Sequence, residues 1–292
     1  MAAYRDNSTP KVDRGVYDLY REFFDLAEKK RRWSLRDDIP WDKCNKDLDP
    51  AIADIVATFC AVELYLPDYV GKALPVNRTF RGRAWFTMNW GYEESKHSLA
   101  LGDWLLRSGH RSEEQMTDFE KEVFTHEWNL PMDSNRGMVC YSMVQERATW
   151  LHYRNLRKII GEKGDPALYT LLGHIAVDEC AHYNFFQRVL AMHLAEDRED
   201  TLEQMRRVLH AFAMPAVHMI SDGRQRIAAV KELRIFDDEI YFREVYTPIL
   251  EQLGVSPHEL RRRSRREYIQ ANSAILPAPL PNTTEPLIRK IA

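Results

Sequence analysis

The sequence predicts an all-α protein. Apolar residues recur at spacings of three and four through most of the chain, the period of one helix face. Helix starts are punctuated by capping residues at Asp49-Pro50, Ser112 with Gln115, Asp165-Pro166, and Ser256-Pro257 with Glu259. No series of alternating runs closed by Asn-Gly or Asp-Gly turns marks a sheet.

Val16, Leu19, Tyr20, Phe23, Phe24 and Leu26 give a first amphipathic helix that ends near the basic run Lys29 to Arg32. Trp33 to Lys46 reads as an irregular connector. Asp49 caps a second helix, with Pro50 in its first turn, running through Ile52, Ile55, Phe59 and Glu63 to about Val70; Pro67 predicts a kink just after the glutamate. A third helix opens near Phe80, carries Glu94 and His97, and is stopped by Gly109. Ser112 and Gln115 form a capping box for a shorter helix through Phe124. A long helix from about Ser134 to Ile160 carries Glu146, and Gly161 and Gly164 break it. Asp165-Pro166 opens the helix of Glu179 and His182, which ends near Ala195. Leu202 to Val230 is expected to be helical with a kink at Pro215, followed by helices over Phe236–Leu253 and Ser256–Ala271. From Ala274 the chain is proline-rich and aperiodic. The expected organisation is a single domain over 1–272 and an extended tail over 273–292.

A net charge of −3 implies no bulk attraction to nucleic acid. No uninterrupted apolar run approaches the ~18 residues of a membrane span, and Met1 to Pro10 lacks the apolar core of a secretory signal. Cys44, Cys60, Cys140 and Cys180 form no C-x-x-C pair and read as free thiols of a cytoplasmic protein.

Chemistry concentrates in two short motifs, Glu94-Ser95-Lys96-His97 and Glu179-Cys180-Ala181-His182. Each puts a carboxylate and an imidazole three residues apart, on one face of a helix. One such match arises by chance roughly once in a chain of this length and would ordinarily be a solvated face. Here each follows an isolated glutamate in apolar surroundings: Glu63 precedes Glu94 by 31 residues, and Glu146 precedes Glu179 by 33. Each interval is one antiparallel helical hairpin, and the 52 residues from Glu94 to Glu146 allow a crossover with an extra helix. A carboxylate on an apolar helix face is costly unless paired or bound to metal. One Glu from each of two helices plus Glu-x-x-His from each of two others is the ligand set of ferritin-like di-iron four-helix bundles, here with additional helices. Four carboxylates and two imidazoles suit two iron ions better than zinc. Glu63, Glu94 and His97 are expected to hold one, and Glu146, Glu179 and His182 the other, with Glu94 and Glu179 as bridges.

At these residues the chain resembles the soluble acyl-acyl-carrier-protein desaturases, the plastid stearoyl desaturases and their actinobacterial relatives, from about Trp41 to Arg266. Glu93-Glu94-Ser95-Lys96-His97 is similar to that family's E-E-N-R-H, Asp178-Glu179-Cys180-Ala181-His182 to D-E-x-R-H, and Gln145-Glu146-Arg147-Ala148-Thr149 to Q-E-R-A-T. Met214-Pro215-Ala216-Val217-His218-Met219 and Asp222-Gly223-Arg224 resemble a later M-P-A-H-x-M…D-G-R segment. Lys96 and Ser98 depart from the usual Arg and Gly, and Leu64-Tyr65-Leu66-Pro67 has one residue more than the plant pattern.

The resemblance implies an O2-dependent desaturase that uses two irons, takes its acyl chain on acyl carrier protein and its electrons from a ferredoxin-type donor, and forms a homodimer. It implies a proton-delivering role for Thr149, a hydrogen bond from a ligand histidine, expected to be His97, to Asp178, and an electron-entry role for Trp41. Hydroxylation of a carrier-bound acyl or aminoacyl group is the alternative outcome of the same site. Met143, Trp150, Phe185 and Met214 are expected walls of an acyl channel. Arg78, Arg81 and Arg83, and the cluster Arg261, Arg262, Arg263, Arg265 and Arg266, are expected basic surfaces for an acidic carrier.

Overall fold

The computed structural model describes residues 4–214 and 221–261. Helix α1, Pro10–Lys30, begins one turn before its first predicted apolar position, because the Thr9 hydroxyl accepts from the Val12 amide and Pro10 needs no donor partner. The connector holds one 3-10 turn, Trp41–Lys43. Asp49 caps α2, Pro50–Leu64, as predicted. The kink is a break at Tyr65, after which α3, Leu66–Asn77, continues beyond the expected end. Together α2 and α3 are apolar enough in composition to cross a membrane, but 67% of their most apolar window is buried inside the molecule.

Helix α4, Arg81–Arg107, carries the first motif. It approaches α1 so closely that a Cβ on Gly82 would stand 2.7 Å from the Tyr17 backbone. The predicted capping box opens α5, Glu113–Phe124. Ser134 caps α6, Asn135–Ile160, and Asp165 caps α7, Pro166–Glu196. Gly161 ends α6 at a φ of 64°, open to glycine without strain.

The region Leu202–Val230 is two helices rather than one kinked helix. Helix α8, Arg198–Ala211, stops at an extended Phe212, and α9, Gly223–Glu232, starts anew after Asp222. Proline disfavours helix in the residue before it, which ends the pattern short of Pro215; Pro215 itself lies outside the described residues. Phe236–Leu253 is also irregular. After α10, Asp238–Ile240, comes a π turn, Tyr241–Tyr246, and then α11, Thr247–Leu253. Pro248 offers no N–H to the Glu244 carbonyl four residues back. The Thr247 amide reaches five back to Phe242, and Arg147 Nε donates to the freed Glu244 carbonyl at 2.5 Å. Ser256 caps α12, Pro257–Leu260, with Glu259 completing the box. The rest of that expected helix, four of the five arginines after Leu260 and the expected tail lie outside the described residues.

Helices α2, α4, α6 and α7 form the central bundle, α6 against α7 and α2 against α4. Two apolar clusters fill it, one around Phe23, Tyr69, Phe86, Met143 and Phe185, the other around Ile55, Phe59, Trp104, Leu171 and Ile175. The predicted carboxylates and imidazoles sit between them.

Candidate metal centre

All six predicted ligand side chains are buried, at 5% exposure or less. Donor atoms of Glu63, Glu94, His97 and Glu179 lie within 4.8 Å of one another, as do those of Glu94, Glu146, Glu179 and His182. The two groups share Glu94 and Glu179. His97 Nδ1 is 3.2 Å from Glu94 and 3.3 Å from Glu179; His182 Nδ1 is 3.0 Å from Glu94 and 3.4 Å from Glu146. Yet Glu94 Oε1, Glu179 Oε1 and His182 Nδ1 have no properly oriented hydrogen-bond partner. Buried polar atoms left this way are rare. Lone pairs that converge without bonding one another fit cations at the centre, and an oxygen-rich set with two imidazoles fits iron.

The far nitrogen of each imidazole points to a further carboxylate. His97 Nε2 is 3.3 Å from Asp178, the contact expected, and His182 Nε2 is 2.7 Å from Glu93. Each motif thus supplies the carboxylate that orients the other motif's histidine, a partnership that fixes tautomer and basicity. The sequence analysis missed Glu93, although Glu93-Glu94 mirrors Asp178-Glu179.

Charge in the pocket is strongly coupled. Burial, followed by the charge of Glu94, holds the Glu63 and Glu179 carboxyls well above the usual carboxylate range. Burial alone would discharge both histidines, but Glu94 and the bonded carboxylates outweigh it and raise them well above ordinary imidazole values. Burial likewise opposes charge on Glu94 and Asp178, and their histidine partners overcome it and hold both low. The Tyr153 hydroxyl donates to Glu63, and Trp90 Nε1 donates to Glu146 at 3.1 Å.

From the connector, the indole of Trp33 also reaches this site and donates to Asp178 at 2.7 Å. Trp41 Nε1 instead donates to the Leu35 carbonyl at 2.6 Å, away from the cluster. Trp33 precedes every apolar repeat around the motifs, so periodicity gave no reason to choose it.

Two cavities lie nearby, and only the first is lined by a predicted ligand. One of about 320 Å³ opens on Glu63 and Thr149, with Arg226, Lys231, Asp237 and Asp238 at its rim. The other, of about 80 Å³, lies between α3, α4, α6 and α7 beside Trp90 and includes Val139, Phe86 and Phe185. The rings of Phe86 and Phe185 stack there at 3.6 Å. Of the expected channel walls, Met214 lines the larger cavity and Phe185 the smaller. Met143 is sealed in the core, and Trp150 lines a surface cleft of about 440 Å³ with Arg31, Arg154 and Arg157. Thr149 faces the larger cavity while its hydroxyl donates to the Gln145 carbonyl at 2.8 Å. His152, also in that wall, donates from Nδ1 to Ala148 at 2.6 Å, and burial pushes its pKa down to about 4, leaving Nε2 an acceptor. Arg83 is no part of an open basic surface: it is buried and paired with Asp6 and Asp13.

The profile of the family described as fatty acid desaturase matches residues 67–263. Among curated proteins, a Mycobacterium tuberculosis protein named as an acyl-[acyl-carrier-protein] desaturase, DesA1, is 24% identical over 78% of this chain and 72% of its own. Stearoyl-[acyl-carrier-protein] 9-desaturase 6 of Arabidopsis thaliana is 30% identical over 58% of this chain and 44% of its own. Among solved structures, M. tuberculosis DesA2, titled an acyl-ACP desaturase, is similar with a TM-score of 0.63 at 18% identity, covering 88% of this chain and 99% of its own. An R2-like ligand-binding oxidase, titled as carrying a Mn/Fe cofactor, gives 0.55 at 17% identity over 86% of this chain and 94% of its own. The last two likenesses are of fold.

Proposed function

The chain belongs to the fatty acid desaturase family, and we propose that it is an O2-dependent di-iron desaturase that introduces a double bond into an acyl chain carried on acyl carrier protein. The observation that carries this reading is the pair of ligand groups sharing Glu94 and Glu179, with a cavity opening on Glu63. Glu63, Glu94 and His97 would hold one iron, and Glu146, Glu179 and His182 the other. The irons, when bound, supply the activation of O2 needed to remove hydrogen from an unactivated methylene. In balance, two vicinal hydrogens, two external electrons, two protons and O2 give one alkene and two waters.

This chain's own residues set the conditions. Asp178 and Glu93 fix the two imidazoles so that each presents Nδ1 to the centre. The two apolar clusters keep water out. The larger cavity, with its charged rim, admits the carrier-borne end of the substrate, and the smaller takes the methyl end past Trp90. Thr149, in contact with the first cavity, handles a proton through its hydroxyl.

A ferredoxin-type donor supplies the electrons, and Trp33–Asp178–His97 is the hydrogen-bonded line from connector to site. Homodimerisation uses α4: Trp85, Met88, Tyr92, Leu99 and Leu106 recur at heptad spacing on its exposed side, with Ser95 and Gly102 completing the register. Four unpaired cysteines fit a cytoplasmic setting.

The test is a single turnover with Fe(II)-loaded protein, reductant, O2 and a panel of acyl carrier proteins, read by mass spectrometry. Loss of two mass units with two irons per chain is the expected result. A gain of sixteen would replace desaturation by hydroxylation, and no turnover of any acyl chain would overturn the reading.

A further inference from the structure

One guanidinium joins the two halves of the centre. Arg31, the residue that ends α1, places Nη2 2.9 Å and Nη1 3.0 Å from the two oxygens of Glu93, a bidentate clasp. The same Nη1 lies 2.5 Å from Asp178 Oδ1. Its side chain is 8% exposed, between the ring of Phe23 and the cleft on α6 and α7. Glu93 and Asp178 are the carboxylates that orient His182 and His97. The contacts therefore run unbroken from His182 through Glu93, Arg31 and Asp178 to His97.

No other arginine or lysine among the described residues pairs with Asp178. Lys96, inside the first motif, turns away: its Nζ donates to the Trp33 carbonyl at 2.6 Å and lies 4.0 Å over that indole. Glu93 has a second arginine, Arg32, but that one reaches a single oxygen and is also held by Glu28 and Asn89. Only the Arg31 fork spans both carboxylates.

We propose that Arg31 is a positioning residue for both metal positions at once, coupling the two imidazoles through the carboxylates it bridges. The inference rests on the di-metal reading above. It makes the two halves respond together. Losing Glu93 disturbs the half held by His182, losing Asp178 the half held by His97, and losing Arg31 disturbs both. Loss of an outer partner of a metal ligand typically weakens metal affinity by about 10–100-fold.

The test is anaerobic titration of the full chain with Co(II) against a competing chelator, following the visible ligand-field bands of each bound equivalent. Wild type is expected to take two equivalents. Arg31→Met should weaken both by about 10–100-fold and shift the bands of both, whereas Glu93→Gln and Asp178→Asn should each weaken mainly one. Arg31→Lys reaches one carboxylate at a time and should restore one equivalent only. If Arg31→Met lowers the thermal midpoint but leaves both affinities and the spectrum unchanged, the residue is merely structural and the proposal fails. If Arg31→Met does not fold, the lysine variant decides: two wild-type equivalents overturn the proposal. A wild-type chain that binds no Co(II) overturns the di-metal reading, and this inference with it.

Discussion

Glu179→Gln separates a carboxylate kept for metal from one kept for the fold. Glu179 is 1% exposed, and burial plus the charges of Glu94 and Glu146 disfavour its ionised form. The amide has the same shape and no charge, so the metal-free variant gives up little. Metal-free stability should fall by no more than about 1 kcal/mol, the scale of one net hydrogen bond, and the relief of repulsion with Glu94 can raise it. Metal binding should behave oppositely, because Glu179 belongs to both ligand groups. At free metal about 100 times the Kd, each site adds about 2.7 kcal/mol, so two add about 5 kcal/mol. Unfolding entropy of about 2.1 cal/mol/K per residue over 292 residues gives about 0.6 kcal/mol/K, hence a rise in Tm of about 9 °C for wild type. The variant should show less than half of it. Anaerobic scanning calorimetry with and without Fe(II) reads both quantities. A variant that keeps the full metal-induced rise, or whose metal-free Tm drops by more than about 5 °C, would refute the reasoning.

Metal-free protein should lose stability as pH climbs above about 7, beyond the range where the buried neutral histidines, His152 and His193 at about 4, add stability with rising pH. Glu63 and Glu179 are raised above 4.5, and His97 and His182 above 6.5. Raised groups favour the folded state below their unfolded values, and that contribution disappears as pH rises through the folded ones. A metal-free Tm that increases between about pH 7 and 9 would contradict this. Metal-induced stabilisation should grow over the same window, because metal requires deprotonated ligands. Tyr92→Glu with Leu99→Glu, at side chains 53% and 60% exposed, should convert a dimer to monomer in sedimentation without lowering Tm by more than a few degrees; an unchanged sedimentation coefficient would remove α4 as the pairing face. Val139→Phe should block the cavity of about 80 Å³ and shift the preferred acyl chain to shorter lengths, at about 1–3 kcal/mol of stability; an unchanged product profile would place the methyl end elsewhere. Thr149→Val removes a hydroxyl that already serves the Gln145 carbonyl, so Tm should hold within about 2 °C while O2 consumption uncouples from product; full coupling in the variant would mean the hydroxyl is only a helix bond.

Helix positions were legible wherever a local rule decides them. Asp49, Ser112, Ser134, Asp165 and Ser256 each cap the helix that their neighbours promise, since a cap and its donor lie within three residues. The failures came where a break depends on something farther away. The π turn ahead of Pro248 works because Arg147, about a hundred residues earlier, takes up the carbonyl that the proline strands. Pro248 announces a break, but nothing between Phe236 and Leu253 says what takes up the stranded carbonyl. Arg83 looked like part of a basic surface because Asp6 and Asp13, which bury it, lie on another element.

The same distinction divides the site. The six carboxylates and imidazoles must stand at helical spacing to converge, and convergence leaves a pattern that any reader of the sequence can find. Glu93 left a fainter trace, the doubled acid before Ser95 that mirrors Asp178-Glu179. Arg31 left none. A long guanidinium needs only to end within reach of two carboxylates, and the end of α1 serves as well as a position inside either motif. Ala181 stands where the resembled motif has arginine, so the positive charge beside Asp178 arrives from 147 residues away. Groups that bind a metal directly are constrained in period, while groups that hold those groups are constrained only in distance. Sequence pattern can report the first constraint, and only the folded chain reports the second.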